Sequence, residues 1–213
     1  MRNEWVPASA ALLVTGAMAL ALASILTPDG SNAAETLRLV REQDSRWLAV
    51  SAIYFLAAAM LILGLPSLLV LLDRPPGRYV GLAGVVSLAI GFVGVAGYAA
   101  LLVFFRALVK TEAIRDQALD ALGEDVGLRI FLYGWIVAFL LGELLLAAAL
   151  LRAHSTPRWV PMLMLGHVLA VPLAALLPDA VARTTALAFA LAFAGVGVRA
   201  ADAHLGSVRR LVV

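Results

Sequence analysis

Residues 128–151 read LRIFLYGWIVAFLLGELLLAAALL, an apolar run of about one bilayer crossing with a single acid, Glu143, set well inside it. A carboxylate at that depth costs a few kcal/mol to insert, so it calls for a partner, a cavity or a task. Glu143 is therefore the residue from which the rest of the chain is read.

The same character extends through the chain. Of 213 residues, 63% are hydrophobic and 14% charged, against about 25% charged in an ordinary soluble domain. No core could hide that much apolar surface, so the expected solvent is the lipid bilayer. The fold class that follows is an all-α, polytopic helical bundle, one integral membrane domain over residues 1–213. About six transmembrane helices are expected, near 6–26, 48–72, 79–109, 128–151, 160–177 and 184–204.

Composition also narrows the function classes. Cysteine is absent, which removes disulfides, thiolate metal sites and a cysteine nucleophile. A net charge of +2 with no basic run gives no reason to expect a nucleic-acid partner. Fifteen of the sixteen basic residues are Arg, and Ala, Val and Leu dominate the apolar set, a bias typical of GC-rich bacterial genomes. The first apolar run is nearly twenty residues, longer than the h-region of about 7 to 15 in a signal peptide, so it reads as a retained span.

Between the spans, Asn32 and Glu35 have the spacing of a capping box, and Leu37 and Val40 share one face of the helix that should follow. Residues 110–127 give a second amphipathic helix, acidic, with Ile114, Ala118, Ala121 and Leu122 on one stripe and Gly123 as its C-cap. Trp47 is placed in the aromatic belt. Pro66 should kink the second span near its far end.

The third span carries Gly81, Gly84, Gly91, Gly94 and Gly97, and Ala83, Ser87 and Gly91 recur every four residues. Small residues at that spacing let a second helix approach closely. The stripe packs against another helix of this chain, forms a homo-oligomer seam with a second copy, or lines a substrate groove.

With six spans, Arg2, Arg74, Arg78, Arg152, Arg158, Arg209 and Arg210 collect in short segments on one side. Opposite lie Arg38, Arg41, Arg46, Lys110, Arg115 and Arg183, mostly in longer loops rich in acids. The positive-inside rule then puts both termini in the cytoplasm of a bacterial inner membrane.

Depth brings candidate site residues together. Glu143 lies nine residues before Arg152 and His167 eight after Trp159, roughly 13 and 12 Å from the same surface at 1.5 Å per residue. Arg199, in the last turns of the sixth span, is near enough in depth to join them. Glu143, His167 and Arg199 thus form the candidate ligand or proton site. The alternatives are that they only join helices, that they serve proton-coupled transport or small-molecule or lipid binding, or that they act in catalysis. Haem would need a second axial ligand at His167's depth, and hydrolase, zinc-protease and nucleotide motifs are missing. No cofactor or metal is called for.

At Pro157-Arg158-Trp159-Val160-Pro161, between a Glu-containing span and a short one, the chain resembles a family of uncharacterised bacterial six-span membrane proteins, a domain of unknown function. The likeness rests on overall layout and this turn. It implies the six-span fold and no activity.

Overall fold

The computed structural model describes residues 5–28, 30, 32–73, 77–114, 116–174 and 179–210. Among them are eight α-helices, one 3₁₀ segment and no strand. They are α1 (Trp5–Leu26), α2 (Ala33–Glu42), α3 (Asp44–Gly64), α4 (Arg78–Lys110), α5 (Asp116–Glu124), α6 (Val126–Ala153), α7 (Trp159–Leu173) and α8 (Asp179–Arg210). The 3₁₀ segment, Leu65–Leu72, continues α3.

Among the described residues, five helical stretches are long and apolar enough to cross a membrane: Trp5–Leu26, Asp44–Leu72, Arg78–Lys110, Val126–Ala153 and Thr184–Leu205. The remaining apolar helix, α7, has 15 residues, about 22 Å of rise against a hydrocarbon core of about 30 Å. It is shorter than the expected 160–177, whose last residues lie outside those described. Large apolar side chains such as Phe55, Leu63, Val86, Val93 and Leu169 point out of the bundle. In water they would form an extended exposed patch; in a bilayer they meet lipid.

The six long or apolar helices close a ring in chain order. α1 packs on α3, α3 on α4, α4 on α6, α6 on α7, α7 on α8, and α8 returns to α1. Short connections make neighbours antiparallel, so the ring has a terminal end, where α1 starts and α8 finishes, and a loop-helix end carrying α2 and α5. Trp5, Tyr79 and Trp159 are exposed at the terminal end, the position of an aromatic belt.

At Pro66 the second span changes from α to 3₁₀. The α-helix stops at Gly64 and tightens into the 3₁₀ segment, because proline cannot donate to the carbonyl four residues back. Ser9 on α1 makes this tolerable in lipid: its Oγ lies 2.8 Å from the Leu63 carbonyl and 3.0 Å from that of Gly64, and accepts from Ser67 N at 3.2 Å. Gly64 permits the approach, since a Cβ there would stand 2.6 Å from the Leu13 backbone. The 3₁₀ segment then touches α1, α4, α6 and α8 as well as α3. Leu65, Leu68, Leu71 and Leu72 are all buried, filling the centre of the ring at its terminal end.

The glycine stripe of the third span is used within the chain. A Cβ on Gly84 would meet Leu146 N at 2.8 Å, one on Gly91 the Phe139 Cα at 2.7 Å, and one on Gly94 would run into the Trp135 side chain. From the other side, a Cβ on Gly142 would reach Leu88 N at 2.5 Å. Ser87 Oγ donates to the Ala138 carbonyl at 2.7 Å, whereas Ala83 is exposed. The α4–α6 contact therefore occupies the face that a second copy would have needed for a glycine seam.

At the loop-helix end, Asn32 Oδ1 accepts from Glu35 N at 2.9 Å, completing the N-cap of α2. Leu37 and Val40 turn inward onto Trp47, Leu102, Val109 and Ile114. Trp47 is thus not an interfacial residue: it is buried, and its Nε1 donates to the Leu102 carbonyl at 3.0 Å. α2 folds over the helix ends, and the indole is covered rather than left at the headgroups. Gly123 is not a C-cap either, because α5 runs through Glu124 and Asp125 then caps α6, accepting from Leu128 N at 2.7 Å. Of the expected α5 stripe, Ile114 is buried while Ala118, Ala121 and Leu122 are exposed.

Candidate functional site

Glu143 faces the interior because α6 buries Phe139, Gly142, Glu143, Leu146 and Leu150, a helical stripe set by the close approach of α4. On α7 the inward positions are Val160, Met164 and His167, spaced by four and three. The two stripes meet at the depth that counting residues predicts. His167 Nδ1 lies 2.7 Å from Glu143 Oε2. Glu143 is 0% exposed and His167 6%, and among the described residues no other acid or base is buried.

Arg199 does not join them. α8 turns Phe189, Ala192, Phe193, Val196 and Ala200 into the bundle, and Arg199, one position before Ala200, is exposed on the outer face. In place of a cation, Phe139 and Phe189 enclose the imidazole, with ring centroids 6.0 and 5.5 Å away.

A partly open cavity of about 220 Å³ adjoins the pair on the side toward the loop-helix end. Every helix of the ring supplies part of its wall: Leu20 and Ser24 from α1, Tyr54 from α3, Val95 and Tyr98 from α4, Trp135 and Phe139 from α6, His167 and Val171 from α7, Ala186 and Phe189 from α8. The cavity exists because the 3₁₀ segment fills the ring centre only at the terminal end. Its wall is mainly apolar, with a few polar groups. The Tyr54 hydroxyl lies 3.1 Å from Thr27 Oγ1, and the buried Nε1 of Trp135 has no hydrogen-bond partner among the described residues.

His167 links cavity and acid. Nδ1 is committed to Glu143, which leaves Nε2 for whatever occupies the cavity. One proton sits between Nδ1 and Oε2 in either arrangement, imidazole N–H to carboxylate or carboxyl O–H to imidazole. The other carboxylate oxygen, Oε1, is buried and has no hydrogen-bond partner among the described residues. No group of three or more metal-ligating side chains occurs among those residues.

Tyr54, Tyr98 and Trp135 were not singled out from sequence, although a signal was present. They lie ten, twelve and nine residues from the loop-helix ends of their helices, so at 1.5 Å per residue all three sit at roughly 14 to 18 Å depth. Two loop-side arginines tie down helix ends: Arg106 Nη2 donates to Asp44 Oδ2 at 2.7 Å, and Arg129 Nε to the Gly123 carbonyl at 2.7 Å.

No known protein family, curated protein or solved structure matches the chain.

Proposed function

We propose that this membrane protein binds a small molecule in the central cavity, with the Glu143–His167 pair as the polar end of the site. The observation that carries this reading is the cavity itself: six helices each contribute to one wall, and the wall includes His167, the one buried histidine among the described residues. Its size favours a compact ligand over a whole lipid. A cavity of about 150 Å³ accepts benzene, so about 220 Å³ suits a molecule of roughly seven to ten non-hydrogen atoms or the end of a longer one.

Native mass spectrometry of the purified protein tests the proposal. Wild type should retain a small-molecule adduct, and Ala186→Phe, which fills the cavity from α8, should lose it while remaining folded. An adduct that survives Ala186→Phe unchanged would place the ligand elsewhere. A wild type that holds nothing and is merely stabilised by Ala186→Phe would favour the second reading, in which Glu143 and His167 only tie α6 to α7. The burial of their hydrogen bond is the observation behind that second reading.

The setting we propose is a bacterial cell membrane with both termini cytoplasmic, supported by the arginines of the short connections. A reporter that works only in the cytoplasm should be active when fused after Arg210 and silent after Gly123. The opposite pattern would invert the topology.

A further inference from the structure

We infer that the preferred occupant of the cavity is a small quaternary ammonium ion; this rests on the cavity being a ligand site. Its walls carry Tyr54, Tyr98, Trp135, Phe139 and Phe189, five aromatic rings around a space of about 220 Å³. Aromatic faces attract a cation through the ring quadrupole, most strongly when water is excluded. At the floor stands His167, backed by Glu143, the one buried acid among the described residues. Its Oε1 has no hydrogen-bond partner among the described residues, and no described basic side chain other than His167 is buried there to neutralise it.

The few polar groups on the wall decide which cation. A primary ammonium carries three N–H donors, each needing an acceptor on leaving water. This wall offers mostly carbon. A quaternary ammonium has no N–H, is weakly hydrated, and presents methyl groups that pack against rings, while the carboxylate form of the acid beneath attracts its charge. The titratable groups facing the site are His167 from α7, Tyr54 from α3 and Tyr98 from α4, with Glu143 of α6 behind the imidazole; α1 and α8 contribute none.

The test compares choline with 3,3-dimethylbutan-1-ol, which has the same shape with carbon in place of the charged nitrogen, by equilibrium dialysis or calorimetry on the full chain in detergent. Wild type should bind choline at least about tenfold more tightly than the neutral alcohol, and Glu143→Gln should abolish most of that preference without weakening the alcohol. Trp135→Leu, on a partly exposed side chain, should weaken choline several-fold and keeps the test available if the Glu143 variant does not fold. Equal or tighter binding of the alcohol would overturn the cation assignment and leave the cavity reading standing. Binding of neither probe would overturn the cation assignment, while the adduct and its loss in Ala186→Phe decide the cavity reading separately. A choline preference that persists in Glu143→Gln and Trp135→Leu alike would remove the acid and the rings as its cause, and the inference with them.

Discussion

Glu143 on α6 and His167 on α7 are joined by one hydrogen bond of 2.7 Å in a region where no other described acid or base is buried. Each is the other's means of being there, since an isolated ionisable side chain inside the bundle is expensive and a paired one much less so.

Removing one partner should therefore cost more than removing both. His167→Leu strands the carboxyl group and is expected to destabilise the protein by about 1–3 kcal/mol, the penalty of an unsatisfied buried polar group. The double variant Glu143→Leu with His167→Leu should recover most of that loss, because well-packed apolar residues commonly replace a buried pair without net penalty. Thermal unfolding in a single detergent measures both. A double variant less stable than His167→Leu alone would show that the pair is not self-contained.

The α4–α6 seam depends on missing side chains. Gly142→Ala pushes a methyl group against the Leu88 backbone and the Gly84 carbonyl, and should cost about 1–3 kcal/mol through overpacking that no rotamer change can relieve. Gly134 on the same helix has open space around it. Gly134→Ala should be neutral or stabilising by up to roughly 1 kcal/mol, as helix propensity alone predicts. Two alanines on one helix with opposite signs would locate the seam; equal effects would deny it.

Ser9 bridges to the end of α3, where Pro66 interrupts the hydrogen-bond ladder. Ser9→Ala leaves Ser67 N without its side-chain acceptor and should lower stability by about 1–2 kcal/mol. Ser9→Thr, which keeps the hydroxyl, should cost less in the same unfolding assay. Equal losses would mean that packing rather than the hydroxyl matters at this position.

Trp47 closes the loop-helix end through its bond to the Leu102 carbonyl. Trp47→Phe retains an aromatic ring beside Phe105 but loses the donor, and should cost about 1 kcal/mol. Hydrogen exchange should quicken in α2 more than in α6, because the indole packs with Leu37 and Val40. Exchange unchanged in α2 would mean that α2 is held without it.

The residue sequence by itself determined the membrane-spanning helical class, because apolar runs of bilayer length leave no other solvent for those side chains. It also determined that Glu143 and His167 share a depth, since rise per residue is constant and the connection between their helices is short. Rotation about each helix axis was another matter. Arg199 and Ala200 differ by a single position on a helix rich in alanine, so α8 offers no clear apolar stripe, and only its packing against α1 and α7 turned Ala200 inward and Arg199 out. Trp47 looked interfacial because nothing local shows that α2 folds back over it. The cavity was least legible of all: six helices each contribute one or a few residues to it, and it remains open only because a proline-started 3₁₀ segment fills the other half of the ring. Such a space is a property of how distant residues converge, which the tertiary structure alone decided.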